Sequence, residues 1–113
     1  YCDNISISCS DGDSVNVFAG GNWMTRFSEE SPNNNFSCSK NTIATGLQCN
    51  GGYCDNLTVR CDPIQEVTVN CRQTNSISEE RPNNEAFFEN AYLTGIQCRG
   101  SNCDNKILTY CDL

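Results

Sequence analysis

The chain has 113 residues, ten of them cysteine, no histidine and a formal net charge of −7. That acidity, with no Lys/Arg cluster, disfavours nucleic acid and anionic lipid as partners. The missing histidine excludes Ser-His and Cys-His nucleophilic chemistry, and no apolar run approaches the ~20 residues of a membrane span.

Hydrophobic residues make up 37% of the chain with the cysteines included, so the aliphatic core is thin and cross-links must replace part of the missing burial. Such cysteine usage in a short chain reads as a disulfide scaffold made in an oxidising compartment, which predicts a secreted, extracellular protein. The chain begins at Tyr1 without an initiator Met or apolar leader, as expected of a mature form or of an excised segment.

In chain order, Cys2-Asp3-Asn4-Ile5-Ser6-Ile7-Ser8-Cys9 comes first, with Ile5/Ile7 alternating as in a half-buried strand. Val15/Val17 alternate likewise, and Gly20-Gly21-Asn22 follows as a turn former. Phe18, Trp23 and Phe27 precede a polar stretch, Ser28-Glu29-Glu30-Ser31-Pro32-Asn33-Asn34. Beyond Cys38 come Thr45-Gly46-Leu47-Gln48-Cys49 and then Asn50-Gly51, placed like a hairpin tip between Leu47 and Leu57. Cys54-Asp55-Asn56-Leu57-Thr58-Val59-Arg60-Cys61 repeats the opening motif, and Val67/Val69 alternate once more. The polar stretch returns as Ser78-Glu79-Glu80-Arg81-Pro82-Asn83-Asn84, followed by Phe87, Phe88 and Tyr92. Thr94-Gly95-Ile96-Gln97-Cys98 echoes Thr45–Cys49, and Cys103-Asp104-Asn105 through Cys111 gives the cysteine motif a third time.

These echoes predict one domain, 1–113, with homologous units at 1–52 and 53–101 and an extra terminal motif copy at 102–113. No stretch has helical periodicity. The expected fold is all-β: six to ten short strands in a small disulfide-rich β-sandwich or β-prism-like domain with Greek-key or hairpin sheets. In so thin a core most aromatic rings are expected inside, although adjacent Phe87 and Phe88 in a strand would point opposite ways and leave one ring exposed.

Two cysteine pairings are open. In the favoured one, Cys49–Cys54 and Cys98–Cys103 clip hairpin tips and Cys38–Cys61 joins the far ends of one hairpin. Cys2, Cys9, Cys71 and Cys111 then tie units or termini. The rival pairs Cys2–Cys9, Cys54–Cys61 and Cys103–Cys111, but six extended residues span about 20 Å and a disulfide needs Cα atoms within about 7 Å. A zinc site would require thiolates alone at a wide Cys-x4-Cys spacing, so neither metal nor cofactor is expected.

The candidate ligand-binding residues are Glu29, Glu30, Asn33 and Asn34 with Glu79, Glu80, Asn83 and Asn84, because polar loops on a rigid scaffold are where binding resides. Their carboxylates could serve as acid and base for glycoside hydrolysis, but Pro and Asn also suit plain structural corners, and no enzymatic activity is expected. The Asp-Asn pairs could offer oxygens to calcium or sugar hydroxyls; the structural alternative is that they bond backbone amides at a turn. Three sequons begin at Asn4, Asn35 and Asn56, two of them by-products of the Asp-Asn motif.

The order of Trp23, Cys38, Ile43–Leu47 and Asp55–Cys61 resembles the repeat of vitelline membrane outer layer proteins. The resemblance implies a β-prism of three Greek-key sheets, secretion, and association with extracellular coats and carbohydrate. This chain has two bodies instead, and its second half lacks a Trp and a Cys38 equivalent.

The leading expectation is a secreted, non-enzymatic recognition module for carbohydrate or a cell-surface glycoconjugate such as a glycoprotein, lectin-like, with duplicate loops acting by avidity. The alternatives are a protein-directed toxin, effector or inhibitor on the same disulfide scaffold, and an extracellular coat component.

Overall fold

The computed structural model describes residues 5–8, 17–18, 20–28, 34–78 and 85–112. Strands form where branched and aromatic residues recur between Gly-, Asn- and Pro-rich turns. They are β1 (Asn22–Trp23), β2 (Asn35–Ser37), β3 (Thr42–Asn50), β4 (Asn56–Pro63), β5 (Val69–Gln73), β6 (Tyr92–Arg99) and β7 (Asn105–Asp112). They build two antiparallel sheets, ordered β1-β4-β3 and β2-β6-β7-β5. The fold is all-β.

Two long hairpins, β3–β4 and β6–β7, dominate. Each carries a bulge, between Ala44 and Gly46 in one and between Leu93 and Gly95 in the other. Each tip is wider than a two-residue Asn-Gly turn, because a single 3-10 turn closes it, Gly52–Cys54 or Ser101–Cys103. Gly51 and Gly100 enter those turns at φ 78° and 74°. A Cβ at either position would collide with Oδ1 of Asp55 or Asp104, so only glycine fits both the dihedral and the space.

Cys49–Cys54 and Cys98–Cys103 clip the tips, each with Cα atoms 4.8 Å apart. Cys71–Cys111 (4.1 Å) fastens edge strand β5 to β7, and Cys38–Cys61 (5.9 Å) also forms. The Cys38 bond does not join the ends of one hairpin. Cys38 follows β2, its N–H donates to the Thr94 carbonyl at 2.7 Å, and the bond links the two sheets. The rival bonds Cys54–Cys61 and Cys103–Cys111 are absent because β4 and β7 are extended between those positions. Cys2 and Cys9 lie outside the described residues.

The core between the sheets gathers Phe27, Leu57, Val59, Ile96, Cys54, Cys61, Cys98 and Cys103. Four of these eight are half-cystines, so cross-links do replace part of the aliphatic burial. Burying Leu57 or Val59 contributes about 1.5–3 kcal/mol each. A satellite cluster packs Ile43 and Ile64 with Tyr92.

Two local expectations fail, those of a strand at Ile5/Ile7 and of half-burial at Val67/Val69. Ile5–Ser8 forms no strand; Ile5 leans on the core while Ile7 is exposed, so one apolar anchor suffices there. Val67 and Val69 are both exposed, since β5 is a sheet edge. The boundary between 52 and 53 falls inside the β3–β4 tip. Moreover β2, from the N-terminal half, pairs with β6 of the C-terminal half, which interlocks the halves.

Candidate functional site

Of the loop residues singled out from sequence, Glu29, Glu30, Asn33, Glu79, Glu80, Asn83 and Asn84 lie outside the described residues. Asn34 is half-buried and its carbonyl accepts the Cys98 N–H at 2.8 Å, guiding the chain into β2. Both loops depart from anchored points. Phe27 and Leu57 exchange two backbone hydrogen bonds of 2.9 Å, and Ile77 and Lys106 exchange bonds of 2.8 and 2.9 Å. Ser28 and Ser78, the first residues of the motifs, are buried, so that end of each loop serves the scaffold.

The Asp-Asn pairs are turn elements. Asn56 Nδ2 donates to Asp55 Oδ1 at 3.0 Å and Asn105 Nδ2 to Asp104 Oδ1 at 2.9 Å, each pair lying against its glycine. Asp3 and Asn4 are outside the described residues. Among the described residues no three His, Cys, Asp or Glu side chains gather as a metal site.

A cleft of about 150 Å³ opens where the chain emerges from the second polar loop. Ile77 and Ala86 contribute apolar lining, Thr74, Asn75 and Glu85 contribute polar groups, and Phe87, Phe88 and Tyr110 contribute rings. Phe87 is 87% exposed. Phe88 stacks on Tyr110 with centroids 4.4 Å apart and planes 19° from parallel. The Tyr110 ring is also held by the Arg72 guanidinium, 4.8 Å from its centroid. Arg72 in turn donates to both Asp112 oxygens at 2.9 and 3.0 Å. That bidentate pair holds the Asp112 carboxyl below its ordinary range, against the opposing effect of desolvation. The wall of the cleft is therefore a braced column, Phe88–Tyr110–Arg72–Asp112. Thr74 is fixed as well: its hydroxyl accepts the Leu108 N–H at 3.1 Å.

Phe87 and Phe88 lie in no strand, so strand alternation does not apply to them; Phe87 is exposed and Phe88 half-buried. Tyr110, Thr74, Asn75 and Glu85 were not singled out from sequence. The available signal was the third cysteine motif, which is one residue longer than the other two and places Tyr110 before its final cysteine.

The other sheet carries a different surface. Trp23 is 47% exposed and Phe18 is exposed too, against the expectation of buried rings, because half-cystines fill the space such rings would take. Trp23, Arg60 and Gly46 form one row across β1, β4 and β3. A Cβ on Gly46 would meet Trp23 Cη2 at 3.1 Å, so glycine seats the indole. Alongside, the Asp62 carboxylate accepts the Thr45 hydroxyl, the Arg60 Nε–H at 3.3 Å and the Gly21 N–H. The Thr45 bond is the main cause of a carboxyl pKa below its ordinary value; burial opposes it and Arg60 assists.

Comparison with family models, curated proteins and solved structures finds no match for this chain.

Proposed function

We propose that this chain is an extracellular, non-enzymatic recognition module that binds carbohydrate on cell-surface glycoconjugates, seating one sugar residue in the cleft at residues 85–88. The observation that carries this reading is the exposed Phe87 ring at a small cleft of mixed lining. A pyranose has an apolar C–H face and a polar rim, so it needs a ring to stack on and hydroxyl partners beside it. Thr74, Asn75 and Glu85 provide the partners. At about 150 Å³ the cleft is well below the ~300–1,000 Å³ of pockets for drug-sized ligands and cofactors, which favours a single ring. The net charge of −7 favours neutral or amino sugars over sulfated ones. Glu79, Glu80, Asn83 and Asn84 precede this segment and extend the contact, while Glu29, Glu30, Asn33 and Asn34 act from the first loop. The resemblance of Trp23, Cys38, Ile43–Leu47 and Asp55–Cys61 to vitelline membrane outer layer proteins supports the extracellular part of this reading. Four disulfides fit an extracellular setting, and no described helix is long and apolar enough to cross a membrane.

A protein-directed toxin, inhibitor or coat component is the second reading. It is favoured by β5, an exposed edge strand that begins at exposed Val69, two residues after exposed Val67. A glycan array, with and without calcium, separates the two using wild type, Phe87→Ala and the Glu29→Ala/Glu79→Ala pair. Binding that Phe87→Ala removes places the sugar in the cleft, and binding removed by the Glu pair moves it to the loops. A blank array with wild type ends the carbohydrate reading.

A further inference from the structure

The exposed Trp23 surface lies on the other sheet from the cleft and belongs to no part of the site above. We infer that Trp23 is a second sugar-stacking platform, taking a neutral hexopyranose, and that the module is divalent. This rests on the carbohydrate reading of the protein. Three observations carry it. The indole approaches Gly46 so closely that a single Cβ there would crowd it, yet nearly half of the residue remains in solvent. A large ring placed so is preorganised, because packing has already restricted it before any ligand arrives. Next in the same row stands Arg60, 40% exposed, with its Nε committed to Asp62 at 3.3 Å. A guanidinium oriented in that way offers hydroxyl oxygens a fixed set of donors at the rim of the ring. Finally, Asp62 stands beside the row and accepts hydrogen bonds from Thr45 of β3, Arg60 of β4 and the Gly21 N–H just before β1, so platform and donor keep their spacing.

The two sites differ in kind. The cleft encloses part of a sugar between a ring and polar groups, whereas the Trp23 surface takes only one face of it. The Trp23 site is therefore the weaker of the two, and its value lies in cross-linking: one molecule holding two glycan chains gains avidity that neither contact supplies alone.

Trp23 is the only tryptophan, so its emission reports on this site directly. The probes are the methyl glycosides of glucose, galactose, mannose and N-acetylglucosamine, titrated by fluorescence and by calorimetry into wild type, Phe87→Ala and Trp23→Ala. The expected result is a saturable change in Trp23 emission with at least one glycoside, present in wild type and in Phe87→Ala. Trp23→Ala should weaken that second contact about tenfold, equivalent to about 1.4 kcal/mol and near the upper end for an aromatic contact, while leaving the Phe87-dependent site intact. Should Trp23→Ala fail to fold, the emission titrations of the other two proteins decide alone. Glycoside binding that Phe87→Ala abolishes, with no emission change surviving in that variant, overturns the Trp23 site and leaves the cleft standing. Absence of any glycoside binding to wild type sinks both.

Discussion

Around the β3–β4 hairpin, Cys38 and Cys61 are joined by a covalent bond; around β6–β7 the matching places are held by two stacked rings. The match is set by register. Ala44 faces Cys61 as Leu93 faces Tyr110, and Met24 bonds the Val59 carbonyl at 2.8 Å as Thr74 bonds that of Leu108 at 2.9 Å. Counting from the two polar motifs, Phe88 then takes the position of Cys38. Phe27 and Phe36, stacked 5.8 Å apart, correspond to Ile77 and Ala86, both of which line the cleft. The first half has a disulfide and the stacked Phe27–Phe36 pair, whereas the second has the Phe88–Tyr110 stack and the smaller Ile77 and Ala86 beside a cavity. The cavity arises by subtraction from a packed arrangement. Smaller residues beside a braced aromatic wall leave a space with fixed sides.

Breaking the covalent version should have the largest effect. The Cys38→Ser/Cys61→Ser pair opens a loop of sequence separation 23 and should cost about 3 kcal/mol in denaturant unfolding. Phe88→Ala, which touches only the stacked counterpart, should cost less than this; equal losses would show that the two links are energetically interchangeable. Next, Phe36→Ala should cost about 2 kcal/mol, below the ~3–5 kcal/mol of a fully buried Phe, because Phe36 is only half-buried. The reciprocal Ala86→Phe should close the cleft and abolish the Phe87-dependent sugar binding on the array, with a smaller change in stability.

The tips are where the halves agree, so matched variants there should match in effect. Gly51→Ala and Gly100→Ala each force a side chain into positive φ, a cost of about 1–2 kcal/mol before the collision with Asp55 or Asp104 is counted. A difference of more than about 1 kcal/mol between them would break the equivalence of the hairpins.

The smallest effect is acidic. Asp62 holds Thr45 and Arg60, while in the other half the Thr94 hydroxyl meets Cys111 Sγ at 3.2 Å. The Thr45 hydrogen bond, assisted by Arg60, holds the folded pKa of Asp62 below the ordinary carboxylate value. Its contribution is therefore complete above the unfolded carboxylate pKa and disappears as pH falls through the lowered folded value. Amide exchange in β1 and β3 should accelerate in acid before that in β6. Asp62→Asn should remove the difference. Uniform acceleration in all three strands would show that Asp62 does not set the acid response.

Much of the local architecture was legible. Alternating Leu57/Val59 and the Gly-rich links between Cys49 and Cys54 and between Cys98 and Cys103 specify hairpins with clipped tips, because these are short-range constraints. The partner of β2 was not legible: Asn35–Ser37 could have joined any open edge, and only long-range packing of Phe36 against the shared core selects β6. Lys106 shows a second limit. It stands where the other hairpin has Leu57, which by sequence alone reads as exposed, yet it is buried and its Nζ donates to the Cys103 carbonyl at 2.6 Å. The cleft was hidden for a related reason, since a cavity is defined by what Ala86 and Ile77 fail to fill.

The pairing of β2 with β6 also dictates a timetable. Residues 35–37 leave the ribosome long before residues 92–99, an interval on the order of several seconds at ~5–20 residues per second. The β3–β4 tip and the Cys38–Cys61 bond involve only earlier residues, so neither has to wait for β6. Until then β2 is a vacant berth, and the four-stranded sheet is assembled only when β6 and β7 arrive.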